Sequence, residues 1–367
     1  MQAPHIAYPD ALDDIPDAPA VFLLWPRSGQ PYLARTSLLR RRLRRLLNRR
    51  EGFSPIASLS GIIERIEYWR SASQLSSSIT HLQLAQTHFP EGWQRITRLR
   101  TPVLLRLTLE NTFPRTMLST RFGRGLSFGP FLTRTAAESF ETQLLDLFQV
   151  RRCEENLEPS PEHPGCIYGE MNRCMRPCQQ AVTREEYHHE AARVEQFLLT
   201  RGASLQATAE AARDRASQEM QFEEAARLHQ RIEKFNQVQA AAGGLARAID
   251  QLAGVAILPS LSPEAVELRF LIGGCWQTPV IVAVSEAFGA GASMDARLRR
   301  VIADLKPEGA PNSEHLAILT RWYGSSWRDG EWLEMDWPSK IPYRKLVNAI
   351  GRVASEKQTG SEKNARL

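Results

Sequence analysis

The N-terminal part of the chain switches between two spacings of apolar positions. Short apolar runs at Val21–Trp25 and Tyr32–Ala34 flank residues 28–31 (Ser-Gly-Gln-Pro), a turn sequence, and together they predict a β-hairpin. Over residues 38–50 leucines recur at i, i+4, i+7 and i+8, which predicts an amphipathic helix whose other faces are arginine. A second helix is predicted over residues 73–87.

The middle of the chain has a mixed pattern around an irregular, cysteine-rich segment. Val103–Leu109 alternates as a strand does, Phe128–Phe131 (Phe-Gly-Pro-Phe) predicts a tight corner, and Thr135–Val150 predicts a helix. Residues 151–178 contain several prolines and no apolar periodicity. We therefore expect a ligand, rather than an apolar core, to organise this segment.

Helical spacing returns after the cysteines and then gives way to strand-like runs. Thr183–Leu199 begins with the capping-box sequence Thr-Arg-Glu-Glu, and Ala203–Met220 and Phe222–Val238 predict an αα-hairpin. The pair Gly243-Gly244 marks a domain boundary. Three strands, a helix and a loop-like tryptophan-rich stretch are predicted beyond it, at Val255–Leu258, Val266–Ile272, Val280–Val284, Met294–Ala303 and Trp322–Trp337.

Composition places the chain among globular proteins that are not embedded in a membrane. At roughly 150 residues per domain, 367 residues predict two or three domains. Hydrophobic residues at 43% and charged residues at 24% exclude a wholly disordered or collagen-like chain. No apolar run approaches the roughly 20 residues that span a bilayer, and Met1–Asp10 lacks the features of a secretory signal. We expect a cytoplasmic protein with no membrane partner.

Positive charge is concentrated in the predicted leucine–arginine helix. The net charge is only +5, yet seven arginines fall between residues 40 and 50, and polyanions respond to such local fields. The candidate DNA-binding residues are Arg40, Arg41, Arg44, Arg45 and Arg49. The alternative is a solvated basic face. The tryptophans have the same two interpretations, since they can stack on unpaired bases or pack in the core, and core packing is favoured for Trp322, Trp327, Trp332 and Trp337.

Four of the five cysteines are crowded into the irregular middle segment. Cys153, Cys166, Cys174 and Cys178 follow the spacing C-x12-C-x7-C-x3-C. In a chain expected to be cytoplasmic, such a cluster indicates a soft metal centre rather than disulfides. The segment lacks the tight C-x2-C knuckle that zinc sites usually contain, which favours a [4Fe–4S] cluster over Zn²⁺. Four buried free cysteines remain the alternative without a metal, and Cys275 is expected to be a core residue.

The cysteine segment and its surroundings resemble the middle of the UvrC family, the incision subunit of bacterial nucleotide excision repair. Phe128–Phe131, Arg152-Cys153, and the run from Cys166-Ile167-Tyr168 to Cys178 match family segments that read F-G-P-F, R-T-C and C-x-x-Y-x-x-G-R-C-x-x-P-C. The resemblance implies that Cys153, Cys166, Cys174 and Cys178 hold an iron–sulfur cluster.

The predicted helical hairpin extends this resemblance. Residues 220–228 (Met-Gln-Phe-Glu-Glu-Ala-Ala-Arg-Leu) resemble the UVR motif, which in UvrC docks on a matching hairpin of UvrB. The implied partner is therefore a UvrB-like protein. The candidate partner-binding residues are Phe222, Glu223, Ala226, Arg227 and Ile232. A purely intramolecular hairpin is the alternative.

The N-terminal residues resemble a GIY-YIG nuclease domain whose site has lost essential groups. Residues 19–22 (Pro-Ala-Val-Phe) and 32–35 (Tyr-Leu-Ala-Arg) align with the family motifs, and Arg42 falls on the catalytic arginine. Tyr32 and Arg42 thus remain as vestigial catalytic residues, with Phe22, Arg35 and His81 at other family positions. His81 replaces the metal-binding glutamate, and an imidazole is a poor ligand for magnesium. The resemblance therefore implies a degenerate site without a divalent metal.

The C-terminal strands resemble, more faintly, a remnant of an RNase H-like nuclease domain. Its carboxylate trio is not evident, and the nearest candidates, Asp329, Glu331, Glu334 and Asp336, are expected to be solvated charges.

Together these patterns predict a multidomain α+β protein. The expected parts are a GIY-YIG-like α/β domain, a middle region with the cysteines, a UVR αα-hairpin, a small α/β C-terminal domain and a disordered tail, over residues 1–95, 96–200, 201–240, 245–355 and 356–367.

The expected function is DNA binding and UvrB docking in excision repair, with little or no incision. One alternative is an active GIY-YIG endonuclease that uses Tyr32, Arg42 and a rearranged metal site. The other is an iron–sulfur, redox-responsive DNA-binding module.

Overall fold

The computed structural model describes residues 3–47, 61–284 and 293–365, with side chains described as far as residue 355. Helices and strands are mixed throughout these ranges, which agrees with the predicted α+β class. The described strands form three sheets, one in each of three successive parts of the chain.

The N-terminal domain is a sheet with one helix packed on each face. Over residues 3–47 and 61–97 the strand order is β1-β4-β2-β3, and the hairpin β2–β3 confirms the prediction from residues 21–34. The strands are β1 (His5–Ala7), β2 (Ala20–Pro26), β3 (Tyr32–Thr36) and β4 (Ile63–Arg70), and the helices are α1 (Leu39–Leu47), α2 (Gln74–His88) and α3 (Trp93–Thr97).

Strand β2 is the centre of this domain because both of its faces are buried. Phe22 and Leu24 pack in one apolar cluster with the leucines of α1, while Val21 and Leu23 pack in another with Leu84 of α2. The predicted amphipathic helix is therefore present, and it lays its leucine stripe on the sheet.

The middle domain surrounds the cysteine segment with a sheet and several helices. Its strand order is β6-β5-β7-β8. The strands are β5 (Val103–Leu107), β6 (Thr116–Ser119), β7 (Leu126–Phe131) and β8 (Arg247–Ala248), and the helices are α4 (Arg134–Leu145), α5 (Ile167–Glu170), α6 (Arg184–Thr200), α7 (Ala203–Gln218) and α8 (Phe222–Ala242). The predicted capping box at Thr183 and Glu186 is present at the start of α6.

The prediction of a tight corner at Phe128–Phe131 is wrong, because these residues belong to β7. Gly129 has a φ of 152° and lies against β5, where a Cβ atom would come within 2.8 Å of the Leu104 side chain. The Gly-Pro pair therefore serves close strand packing instead of a turn.

The base of the predicted hairpin belongs to the core of the middle domain. Ile232 and Phe235 of α8 share an apolar cluster with Phe140 of α4 and Phe197 of α6. The base of the hairpin predicted over residues 201–240 thus packs against the middle domain. The turn between α7 and α8 projects from this core, and there Met220 is 76% exposed and Phe222 is 68% exposed.

The C-terminal domain is an antiparallel sheet covered by helices. Over residues 253–284 and 293–365 its strand order is β11-β10-β9-β13, with β12 also paired to β10. The strands are β9 (Ala253–Pro259), β10 (Ala265–Ile272), β11 (Cys275–Trp276), β12 (Val280–Ala283) and β13 (Glu331–Glu334), and the helices are α9 (Met294–Ala303), α10 (Ser313–Tyr323) and α11 (Tyr343–Ala365).

Two predictions for this domain need correction. The tryptophan-rich stretch is not a loop throughout, since it contains the end of α10 and the sheet strand β13. The polar residues expected to be a disordered tail from 356 onwards continue α11 to Ala365. Their glutamate, lysine and glutamine residues have high helix propensity, which a reading based on apolar periodicity does not register.

The N-terminal and C-terminal domains are joined at the start of α2. The backbone N–H of Gln74 donates to Oδ2 of Asp329 (2.6 Å), and the Ser76 hydroxyl donates to Oε1 of Glu267 (2.6 Å). Arg247 of β8 similarly connects the middle and C-terminal domains through Glu334 (2.9 Å) and Asp336 (3.2 Å).

Candidate cysteine centre and nuclease-like face

The four cysteines of the middle segment lie in irregular backbone between α4 and α6. Cys174 and Cys178 are buried, Cys153 and Cys166 are half-buried, and all four are free thiols. Cys166 is the residue immediately before the short helix α5, and Cys178 lies in a 3₁₀ turn.

Side-chain hydrogen bonds from the surrounding core fix the start of this segment. The buried Tyr187 hydroxyl accepts a hydrogen bond from the Arg151 N–H (2.8 Å) and donates one to the Pro114 carbonyl (2.8 Å). The Arg151 guanidinium donates to the carbonyls of Phe113 (3.0 Å) and Glu155 (2.9 Å). Protein contacts therefore anchor the start of the segment, and its organisation by a ligand stays a prediction.

The thiols are close enough to influence one another electrostatically. Burial raises the pKa of the Cys174 thiol to about 11, the N–H of Arg176 lowers it, and the charges of Cys153, Cys166 and Cys178 raise it further. The Arg176 N–H lies 3.4 Å from the Cys174 sulfur. Metal binding requires deprotonated thiols. These thiolates would therefore form when a cation is bound and neutralises their charge.

The chemistry of the donors fits a thiolate-bound centre, whereas their arrangement is not a closed coordination site. Four thiols from one short segment are the ligand set of Fe–S clusters and structural zinc. Within residues 3–47, 61–284 and 293–365, however, no three histidine, cysteine or carboxylate side chains have an arrangement that could hold a metal ion.

Three residues at nuclease-family positions line the same cavity beside the edge strand β3, here called the nuclease-like face. These residues are Tyr32, Arg35 and His81. Burial and, secondarily, the charge of Arg35 lower the pKa of His81 to about 4, so this imidazole is neutral at pH 7. Phe22 is fully buried on the α1 side of the sheet with its ring 6.3 Å from that of Tyr32, and neither Phe22 nor Arg42 of α1 lines the cavity.

The arginine helix has acidic partners that the sequence analysis did not identify. Arg44 pairs with the carboxylate of Asp13, Arg41 pairs with Asp17 (3.9 Å), and Arg40 donates to the Asp13 carbonyl (3.2 Å). These pairs are solvent-exposed and therefore weak. Arg45 is exposed without a carboxylate partner in the described part of the chain, and Arg49 lies outside the described residues.

The exposed part of the helical hairpin contains four of the five predicted partner-binding residues. Phe222, Glu223, Ala226 and Arg227 are exposed near the start of α8. Ile232, in contrast, is only 5% exposed and packs in the intramolecular core, so its expected contact with a partner is not available in this conformation.

The four C-terminal carboxylates are occupied by structural contacts. Glu331 pairs with Arg352 (2.6 Å), while Glu334 and Asp336 pair with Arg247. Asp329 accepts hydrogen bonds from Gln74 and from the indole of Trp322. Their side chains keep contact with solvent, since Asp336 is 62% exposed and Glu331 and Glu334 are 34% and 33% exposed. These carboxylates are thus partly solvated charges that also form ion pairs.

Comparisons with known proteins identify the middle domain. Residues 103–197 match the family model of the UvrC/Cho excinuclease middle domain. The UvrABC system protein C of Rickettsia prowazekii (strain Madrid E) is 27% identical over 235 residues, which are 63% of this chain and 37% of that protein. The middle domain of this chain therefore belongs to the UvrC family.

A second relative shows a similar match and shows how much of each chain is aligned. The UvrABC system protein C of Rickettsia felis (strain ATCC VR-1525 / URRWXCal2) is 30% identical over 181 residues, which are 48% of this chain and 28% of that protein. The chain spans well under half the length of these UvrC relatives. No solved structure matches it.

The UvrC match contains the whole cysteine segment but not the nuclease-like face. Cys153 to Cys178 lie within residues 103–197, whereas Tyr32, Arg35, His81 and the α7–α8 turn lie outside them. Among the helices described for this chain, none is both long enough and apolar enough to cross a bilayer.

Proposed function

We propose that the chain acts in nucleotide excision repair as a DNA-binding protein that docks on a UvrB-like partner and makes little or no incision of its own. The observation that carries this proposal is the lining of the nuclease-like face. Tyr32, Arg35 and His81 line a cavity whose described charged residues are all arginines, with no Asp or Glu.

This lining supports the loss of metal-dependent hydrolysis. A divalent ion in a phosphodiesterase needs oxygen ligands, and it stabilises the negative charge that develops in the transition state. His81 offers a neutral nitrogen, and the positive charge of Arg35 lies close enough to lower its pKa further. The same positive charge would repel a divalent cation, so we infer that this site binds phosphate without cleaving it.

The projecting turn of the helical hairpin supports docking on a partner. Met220 and Phe222 are large apolar side chains that are 76% and 68% exposed, although the base of the same hairpin is buried. Glu223 and Arg227 flank them with both signs of charge. An apolar pair bordered by charges is suited to a matching amphipathic hairpin such as that of UvrB.

We further propose that Cys153, Cys166, Cys174 and Cys178 hold a [4Fe–4S] cluster, with Zn²⁺ as the alternative. The support is the donor set, since four free thiols of one segment influence one another's charge. Bound to these thiolates, a cluster would supply one-electron redox chemistry and additional cross-links in the segment.

A nicking assay tests the loss of incision. Wild-type protein and Arg42→Ala are incubated with damaged or branched DNA in Mg²⁺ or Mn²⁺. We expect no cleavage above background from either protein. Cleavage by the wild type that disappears in Arg42→Ala would establish an active, rearranged nuclease and overturn the proposal.

A binding assay with a purified UvrB-like protein tests docking. Phe222→Asp is compared with Leu261→Asp, which places the same charge at a residue of the C-terminal domain that is 45% exposed. We expect Phe222→Asp to weaken the complex at least tenfold and Leu261→Asp to leave it unchanged. Equal binding of both variants would contradict docking through the hairpin.

Iron, zinc and sulfide analysis of anaerobically purified protein tests the cysteine centre. We expect iron, sulfide and a visible absorption band, which are lost in Cys174→Ser and kept in Cys275→Ser, a buried cysteine outside the segment. Zinc in place of iron would select the alternative, and protein with neither metal would refute the centre.

A further inference from the structure

The cavity that Tyr32, Arg35 and His81 line is large and cationic, and it lies where three parts of the chain meet. Its volume is about 1290 Å³, and its walls come from the N-terminal domain, from residues 95–103 that lead into the middle domain, from the start of α4 and from α10. Six arginines line it: Arg35, Arg95, Arg98, Arg100, Arg134 and Arg321. No Asp or Glu of the described residues lines it.

Most of these guanidinium groups lack a neutralising partner. Arg134 pairs with Glu138 (2.8 Å), and Arg35 donates to the Ser78 hydroxyl (2.6 Å). Within the described ranges no carboxylate lies within ion-pair distance of the other four arginines. Burial lowers the pKa of Arg35, and the charge of Arg321 lowers it further, which indicates that two cations are held close together. An anion in the cavity would relieve this repulsion.

The backbone at the cavity wall places one of these arginines on the rim of the cavity. Arg98 follows α3 in a left-handed conformation with a φ of 48°. Glycine is favoured at such a position at the end of a helix, because a side chain is disfavoured there. The chain nevertheless places an exposed arginine at this point, on the rim of the cavity.

An exposed tryptophan lies next to the cavity. Trp327 is 50% exposed and lines an adjoining space of about 340 Å³, to which Arg35 and Arg321 also contribute. Trp322, by contrast, is 2% exposed in the core. Asp329 also lines the adjoining space, but its carboxylate is held by the N–H of Gln74 and the indole of Trp322.

We propose that the cavity and Trp327 together bind a single-stranded segment of nucleic acid, with the arginines on its phosphates and the indole stacked on an unpaired base. Stacking requires an exposed base face, which duplex nucleic acid does not offer within its length. The cavity also exceeds the roughly 300–1,000 Å³ of typical small-molecule sites, which favours several linked phosphates over one nucleotide.

This inference deepens the proposed function, because it rests on DNA binding and assigns it to a site other than the arginine helix. Arg98 and Arg100 lie between the domains, and Arg321 comes from the C-terminal domain. Strand binding therefore needs the domains in the arrangement seen here. Each phosphate contact contributes about 0.7 to the salt dependence of single-strand binding.

Fluorescence anisotropy with the full chain and a labelled 12-nucleotide DNA strand tests the proposal. The cavity variants are Arg98→Glu/Arg100→Glu and Trp327→Ala, and the control is Arg300→Glu at an exposed position of α9. All altered side chains are exposed, so circular dichroism should show unchanged folding. We expect the double variant to weaken binding at least tenfold and to reduce the salt slope by about 1.4. Trp327→Ala should weaken binding at least fivefold with an unchanged slope, and Arg300→Glu should match the wild type.

Further binding experiments distinguish a single-strand site in the cavity from a small-anion site, a duplex site and binding by the arginine helix. Inorganic triphosphate should compete only at concentrations far above those of an unlabelled strand; equal competition would indicate a small-anion site and overturn the proposal. Equal affinity for duplex and single strand would overturn it as well. If Arg45→Glu on α1 weakens binding while the cavity variants do not, this inference fails together with phosphate binding at the cavity, and only DNA binding through the arginine helix stands. If the wild type binds no DNA, both fail.

Discussion

Tyr187→Phe isolates the protein contacts that hold the start of the cysteine segment. The substitution removes one oxygen atom from a fully buried side chain and keeps the ring. That oxygen accepts from the Arg151 N–H and donates to the Pro114 carbonyl, both at 2.8 Å. Phenylalanine leaves both backbone groups without this partner and leaves the apolar packing of the ring unchanged.

The cost follows from the two groups that lose their partner. A buried donor or acceptor left unsatisfied costs about 1–3 kcal/mol. We expect the free energy of opening the segment to fall by about 2 kcal/mol, because two hydrogen bonds are lost while the rest of the core is retained. At about 1.4 kcal/mol per factor of ten, local exchange should accelerate about 30-fold.

Native-state hydrogen exchange read by mass spectrometry is the suitable assay, because a chain of several domains need not unfold in one step. Peptides covering residues 147–156 report on the segment. Tyr168→Phe is the matched control, since this side chain is 37% exposed and contacts Arg152 through its ring, 5.2 Å from the guanidinium carbon. The control should change the opening free energy by less than about 0.5 kcal/mol.

Equal exchange rates in the two variants would refute the reasoning. They would mean that the segment is held by a bound ligand alone and that the Tyr187 hydroxyl contributes nothing. Faster exchange throughout the molecule would also contradict a local role, because it would indicate loss of the middle core.

Three further predictions follow from other contacts. Burial lowers the pKa of His81 from 6.5 to about 4, so the unfolded chain binds a proton at this residue before the folded chain does as the pH falls. The free energy of unfolding measured in urea should therefore decrease by about 2 kcal/mol between pH 7 and 5, and His81→Asn should remove that decrease. Arg247→Met should destabilise the contact between the middle and C-terminal domains by about 2 kcal/mol in thermal melts, because Glu334 and Asp336 lose a shared, buried partner. Asp329→Asn should accelerate exchange at the start of α2 at least fivefold, whereas Asp304→Asn at an exposed position should not.

Local elements were predictable where one pattern dominated. The leucine stripe of α1 and the capping box of α6 identified helices because their signals lie within a few residues. Strand β4 was not predicted, since its sequence Ile-Glu-Arg-Ile-Glu-Tyr-Trp-Arg mixes charges with apolar residues although it pairs on both sides. Gly129 was misread because glycine and proline indicate turns unless a neighbouring strand requires close approach.

The candidate sites also differ in how far the sequence alone predicted them. The cysteines were predictable as a group because they share one short segment. The cavity was not, because Arg35, Arg100, Arg134 and Arg321 meet only after three domains have folded together. The acidic partners of α1 are visible in the sequence, since Asp13 and Asp17 carry the opposite charge and lie 31 and 24 residues before their partners Arg44 and Arg41. Their pairing nevertheless depends on the fold between them.

The shared core of the middle domain and the hairpin limits how the hairpin, the proposed docking element, can be exchanged between proteins. Phe235 of α8 lies 6.2 Å from Phe197 of α6, ring to ring, and Ile232 is buried beside them. Cutting the chain after α6 would leave Phe197 facing water and would cost the neighbouring domain its own stability. Only the outer turns of the hairpin can be grafted onto another scaffold, and a change of partner preference must therefore come from substitutions at the tip.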